Sequence, residues 1–420
     1  MNKEVNQLNE KLTLKDYLKA MGPGAIMSAA IIGPGTVTTA SSQGASYGYT
    51  SLWIVLMACV IAYYFQEPAT RISIGCKESV MVGVREHISP NISKFLWVVV
   101  FIGGIAFQAG NLSGASMALT YFFPNTPIIF WAIVMSGLAL IVVLLNKYKI
   151  IEGVNQVLII VMVLAFVLTA FTSGPSIGDL FTEGFSFKIP GGNAILAISL
   201  LATTVTPNLV LGYSSFLRKR YPNSNQVKKD IKLAKADLGL NMFVTFLITG
   251  SIIICAAALI HPLGIQIKSA ADMAMQLEPL LGRFAGIFFS LGLWAAAISS
   301  VLYQISIQTM LFTPAFNKTE DPKALHNVII TATVLLIPIF IIAFLGSSPV
   351  QLIITAQALN GIALPLVCII SWILCNKKGF MGEFINTKRQ NIIMCIITIL
   401  TLVFAINALY SVAQKIIGLL

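Results

Sequence analysis

Charged side chains are scarce in this chain. Only 10% of its 420 residues are Asp, Glu, Lys or Arg, against about 25% in a soluble domain. Hydrophobic residues make up 57%. Such a chain reads as a polytopic membrane protein with little material outside the bilayer. Cysteine pairs are missing too. The six cysteines lie in or beside apolar stretches, and none forms CxxC. They read as small packing residues, not as a metal or redox site. The three histidines, His87, His261 and His326, fall in loops or at span ends. No nucleophile–base set is visible, so an enzyme is not expected. The first 20 residues carry Lys, Asp and Glu but no apolar core of signal-peptide type.

Long apolar runs are abundant. At about 20 residues per crossing, eleven spans are predicted: 24–46, 51–75, 95–122, 127–146, 150–173, 192–217, 238–260, 280–313, 326–346, 348–374 and 390–417. The net charge of +11 invites a nucleic-acid reading, but the positions of the cations argue against one. They gather before span one and after spans two, four, six, eight and ten, with Lys188 and Lys268 the main exceptions. The positive-inside rule then predicts a multi-pass protein of the plasma or inner membrane. Its N-terminus is expected in the cytoplasm and its C-terminus outside. The polar stretch 218–237 has a basic helical pattern and is expected to be a solvated loop.

Two spans are interrupted. Gly33-Pro34-Gly35-Thr36 breaks the run 25–45, and Thr206-Pro207-Asn208 breaks the run 194–216. Glycine favours non-helical backbone, and proline removes a donor and clashes with the preceding turn. A break in lipid is tolerable only where the backbone is covered by protein or lines a cavity. Span one runs outward and span six inward, so two five-span halves are inverted, each broken in its first span. Paired breaks of this kind point to a transporter with a central site. The predicted organisation is a cytoplasmic segment 1–22, a first repeat 23–174, an inverted second repeat 191–374 and an extra helix 390–417. The fold class is therefore all-α, with eleven transmembrane helices in a LeuT-like 5+5 inverted repeat and helices 1 and 6 unwound. The competing account of either break is a structural kink.

Residues Gly22-Pro23-Gly24 through Thr36, and Val205-Thr206-Pro207-Asn208 through Ser214-Ser215, resemble the first and sixth helices of the Nramp family of proton-coupled divalent-metal transporters. The segments 108–123, 292–300 and 357–365 are similar as well, so the resemblance spans the first ten helices. The departures fall on the chemistry. In the family's DPGN motif the aspartate position is Gly33 here and the asparagine position is Thr36. The sixth-helix methionine and histidine are Thr206 and Asn208. The acidic pair of the family's proton route corresponds to Gln108 and Asn111. Pro34, Gly35 and Pro207, which shape the backbone, remain.

Neutral groups are left at the centre: Gly33, Gly35, Thr36, Thr206, Asn208, Gln108, Asn111, Gln357 and Asn360 as candidate substrate contacts. Transition metals call for carboxylate, imidazole or sulfur ligands, so no metal ligand set and no cofactor is expected. A half-helix N-terminus after Gly35, with Thr38 and Thr39 beside it, suits a carboxylate group. Gln357 and Asn360, which precede Pro365, have a second reading as partners for backbone groups freed by the break, and Gln108 and Asn111 have one as interhelical hydrogen bonds. That alternative applies equally to Ser300, Gln304 and Gln308, which are spaced four apart. Glu67 and Arg71 are four apart on one helix face. They are read as a gating pair or a proton-coupling pair.

The expectation is a secondary transporter working by alternating access. It carries a small polar or zwitterionic solute or another substrate that is not a transition metal. The alternative is a divalent cation such as Mn²⁺ or Mg²⁺, held hydrated. A third class is a non-transporting sensor. The expected partners are that substrate and the lipid bilayer, with no nucleic acid, and the chain is expected to be a monomer.

Overall fold

In a bilayer an apolar chain must satisfy its backbone internally, which leaves helices or a closed barrel. In the computed structural model of this chain, which describes residues 32–145, 148–188, 194–222, 224–345 and 348–417, every regular element is helical. The main ones are α1 (Pro34–Tyr47), α2 (Leu52–Thr70), α3 (Val80–His87), α4 (Pro90–Phe122), α5 (Ile128–Leu145) and α6 (Tyr148–Thr172). They are followed by α7 (Ala194–Thr204), α8 (Pro207–Arg220), α9 (Val227–Leu259) and α10 (Ala285–Phe316). The last four are α11 (Leu325–Leu345), α12 (Pro349–Gly361), α13 (Leu364–Cys375) and α14 (Lys388–Ile417). Among the described residues, eight helical stretches are long and apolar enough to cross a membrane, and two shorter apolar ones accompany them. Each predicted span has a helical counterpart. The first half of span one, 24–31, lies outside the described residues, as do Gly22, Pro23 and Gly24.

The second interruption is present, and at the first the described residues Ile32 and Gly33 are non-helical ahead of α1; both sites are shifted by a residue or more from the prediction. Gly33 has extended backbone (φ −97, ψ −176) and caps α1, in which Pro34 takes the first position. Proline suits that place because its missing N–H would have no helical partner anyway. Gly35 and Thr36 are therefore the first turn of a helix and not part of an unwound stretch. In the second half the non-helical residues are Val205 and Thr206, and Pro207 and Asn208 already begin α8. The same logic makes a third interruption in span ten, at Ile362 and Ala363, with Pro365 at the start of α13.

The stretch 218–237 is not a loop throughout. From Val227 it is the first part of α9, because Ile231, Ala234 and Leu238 share a buried face while the lysines take the other side. All six cysteines are free thiols, four of them buried.

The core is built from helices that cross the middle of the molecule. α4 packs on α10 and α12, α9 packs on α1 and α2, and α7 packs on α12, α1 and α2. Small residues permit this closeness. A side chain at Gly114 would strike Pro34, and one at Gly44 would strike the Ile253 carbonyl. Large apolar side chains such as Ile102, Phe171, Phe340 and Phe344 face outward, as lipid-facing positions do.

Candidate functional site

α1 and α7 meet at their broken ends. The hydroxyls of Thr36, in the first turn of α1, and Thr203, in the last turn of α7, lie 2.6 Å apart. The contact brings a helix N-terminus beside a helix C-terminus. One end presents N–H groups and partial positive charge, the other unpaired carbonyls and partial negative charge. Thr39 turns its hydroxyl back onto the Gly35 carbonyl at 2.7 Å.

α12 closes a third side. An added Cβ on Gly35 would lie 2.1 Å from Gln357 Nε2, so Gly35 exists to admit that amide. Gln357 also faces Gly110 of α4, and Asn360 lies against Gly103. A chain of amides continues between α4, α8 and α10. Asn208 Nδ2 donates to Gln304 Oε1 at 3.2 Å, and Gln304 Nε2 donates to the Gly104 carbonyl at 3.0 Å. Gln108 Nε2 donates to the Val301 carbonyl, and Gln108 Oε1 accepts from Asn111 Nδ2, both at 3.4 Å.

Thr36, Gln108, Asn111 and Gln357 are fully buried, and Thr206, Asn208 and Asn360 nearly so. Yet neither side-chain polar atom of Gln308, Gln357 or Asn360 has a hydrogen-bond partner among the described residues, nor do Asn111 Oδ1 and Asn208 Oδ1. Buried amides are normally satisfied, and each orphan costs about 1–3 kcal/mol. These neutral donors and acceptors are left open to water or a bound ligand. Among the described residues, no group of three or more His, Cys, Asp or Glu side chains comes together.

A cavity of ≈ 550 Å³ leads toward this centre from the face opposite the basic loops. Ser42 and Tyr47 of α1, Ile195 of α7, Lys268, and Gln351 and Ile354 of α12 line it. Ser42 is six residues beyond Thr36, and Ile354 is three before Gln357. The floor of the cavity therefore stands about 5–9 Å along those helices from the break.

The predicted residues divide into three groups. Gly35, Thr36 and Gln357 converge at the first break, and Thr206 lies in the second. Asn208, Gln108, Asn111 and Asn360 belong to the amide column. Glu67 and Arg71 are elsewhere. Arg71 pairs with Glu67 at 3.0 Å and donates to the Phe384 carbonyl and Asn386 Oδ1, each at 2.7 Å. This links α2 to the loop before α14, and no central residue takes part.

Sequence reasoning passed over Thr203, Gly103 and Gly104. Thr203 is one of three closely spaced threonines before Pro207, and the paired glycines stand in an apolar span, so both signals were visible but unspecific.

Comparison with known proteins places these observations. The family model "Natural resistance-associated macrophage protein-like" (Nramp) matches residues 24–411, and the chain belongs to that family. The divalent metal cation transporter MntH of Caldanaerobacter subterraneus subsp. tengcongensis is 27% identical over 387 residues, covering 91% of this chain and 90% of that protein. The MntH protein of Clostridium acetobutylicum is 26% identical over 403 residues, 94% and 92% of the two chains. The crystal structure of the Eremococcus coleocola manganese transporter, in complex with an aromatic bis-isothiourea substituted compound, superposes with a TM-score of 0.80 at 18% identity. It covers 98% of this chain and 89% of that one. The fold is thus the LeuT-like fold of Nramp transporters, and the chain is a membrane transporter, not an enzyme.

Proposed function

We propose that this Nramp-family chain is a secondary transporter of a divalent cation, which it holds with part of its hydration shell at the junction of α1 and α7. The observation that carries this is the Thr36–Thr203 contact. It sets the carbonyl end of α7 beside the Thr36 hydroxyl and the Gln357 amide, a set of neutral oxygens. Carbonyl ends of broken helices are suitable cation ligands. The named relatives, divalent metal cation transporters, support the same substrate class.

Neutral oxygens cannot replace the hydration of a small divalent ion. Mg²⁺ in particular dehydrates reluctantly and keeps several waters. The unpartnered amide atoms of α4, α10 and α12 give those waters partners. The soft-ligand preference of transition metals is unmet here, so hard ions are favoured over Fe²⁺ or Zn²⁺. Affinity should be about 10⁻⁴–10⁻³ M, as in weakly charged Ca²⁺ sites.

We take the face with the basic loops to be cytoplasmic, with the N-terminus inside and the C-terminus outside. The ≈ 550 Å³ cavity is then the outer vestibule of an alternating-access cycle. In this account Glu67 and Arg71 hold the inner side shut.

A small zwitterionic solute is the second reading. It is favoured by the first turn of α1, which contains no acidic residue and would receive a carboxylate without repulsion. Uptake of Mg²⁺, Mn²⁺ and Ca²⁺ into proteoliposomes, set beside a panel of amino acids, separates the two. Uptake of a hard divalent ion that saturates in the stated range supports the proposal. Saturable uptake of an amino acid with no divalent flux overturns it.

A further inference from the structure

Glu67 answers to two cations. Beside Arg71, Lys235 of α9 lies 2.5 Å from Glu67 Oε1, and Gln390 of α14 donates to the same oxygen at 3.4 Å. The Arg71 guanidinium is fully engaged by Glu67, Phe384 and Asn386. The excess positive charge therefore rests on Lys235, whose ammonium has three donors. Its side chain is 31% exposed, against 6% for Arg71 and 9% for Glu67.

Those residues border a cavity of ≈ 210 Å³ between α2, α9 and α14. Lys235, Gln390 and Tyr63 form a polar wall, and Tyr64, Ile393 and Met394 an apolar one. Glu67 is the one acid among the described residues lining it. Two cations to one carboxylate leave a net positive charge in a half-open cavity, with the Lys235 ammonium within reach of an anion from outside.

The surroundings indicate where that anion comes from. Lys232, Lys388 and Arg389 are exposed nearby on the same two helices. Farther along those helices the exposed residues turn apolar: Leu240 and Phe243 on α9, Ile392 and Ile396 on α14. A basic band giving way to an apolar one is the profile of headgroup meeting acyl chain.

We infer that this cavity binds the phosphate of an anionic phospholipid from the leaflet on the basic face, its acyl chains running along α9 and α14. Lys235 and Gln390 donate to the phosphate oxygens, and Glu67 holds Lys235 in place. The site joins α14, which lies outside the repeat, to α2 and α9 through a lipid.

Native mass spectrometry of the full chain with added phosphatidylglycerol tests this, with melting temperature as a second readout. Wild type should retain phosphatidylglycerol over phosphatidylcholine and melt higher with it. Lys235→Gln should weaken retention about fivefold, the share of one interfacial lysine. Lys323→Gln, which removes a remote charge from the same face, should leave it intact. Should Lys235→Gln fail to fold, Gln390→Ala must lower retention while Lys235→Arg preserves it. Equal retention by wild type and the two lowering variants would overturn the inference. So would an equal rise in melting temperature with inorganic phosphate alone, since a free anion would then suffice.

Discussion

The Thr36 and Thr203 hydroxyls, 2.6 Å apart, bond the first turn of α1 to the last turn of α7. Each is buried, and the pair spans 167 residues of sequence. Replacing Thr36 with an isosteric apolar residue strands the Thr203 hydroxyl, whereas Thr36 keeps a further interaction when Thr203 is replaced.

Thr36→Val should lower stability by about 1–3 kcal/mol, the cost of leaving the buried Thr203 hydroxyl unsatisfied, and Thr203→Val should cost less because Thr36 has a further interaction. The double variant should recover part of that loss. A double-mutant cycle by thermal or chemical unfolding reads the coupling. Strict additivity would mean that the two hydroxyls do not act together.

Gly35→Ala should abolish uptake without unfolding the protein. The new methyl would occupy the position of the Gln357 amide, 2.1 Å from its nitrogen, and that side chain has a flexible end that can move away. Adding Gln357→Ala should relieve the crowding. If the amide serves the substrate, stability returns in the double variant and transport does not. Restored transport would assign Gln357 a packing role only.

Lys268→Glu reverses the one charge among the described residues lining the vestibule. Charge at a channel mouth changes the local concentration of an ionic substrate, more at low salt than at high. For a divalent cation the variant should raise uptake at subsaturating concentration, with the gain shrinking as salt is added. An anionic substrate would show the opposite sign.

Arg71→Met leaves Glu67 to Lys235 and Gln390, so it should lower stability by less than the about 3–5 kcal/mol typical of an uncompensated buried charge. Combining it with Glu67→Gln should restore much of that stability. Melting temperatures of the two singles and the double settle the point. A double variant as unstable as Arg71→Met would show that the Phe384 and Asn386 bonds, and not the ion pair, hold the region.

Legibility in the sequence followed the range of the forces involved. Pro34 and Pro207 marked the two breaks because proline acts on its own backbone, with no help from distant residues. Their register slipped because proline begins the next helix instead of sitting in the gap. The third interruption, at Ile362 and Ala363, has no glycine–proline pair at the gap itself, so Pro365 signals a break inside one span without fixing its position. The lysines of 228–235 suggested a loop, although Ile231, Ala234 and Leu238 already gave α9 a buried face. Residue types at the centre were readable from a resemblance. Their pairing was not, because the Thr36–Thr203 and Asn208–Gln304 contacts depend on how helices far apart in sequence cross. The comparisons also moved the substrate reading from an organic solute toward a cation, since residue chemistry alone does not show which class of cargo the family's fold delivers.

The most direct measurement is the affinity of Gly33→Asp for Mg²⁺ and Mn²⁺ by calorimetry, beside wild type. Gly33 caps α1 with extended backbone that any residue adopts, and aspartate is itself a favoured cap. One unit charge at about 4 Å contributes on the order of 1–4 kcal/mol across effective dielectrics of about 80 to 20. A divalent ion at the junction of α1 and α7 should therefore bind Gly33→Asp at least about tenfold more tightly than wild type. Unchanged cation affinity, or loss of saturable uptake of an organic solute in its place, would contradict the account.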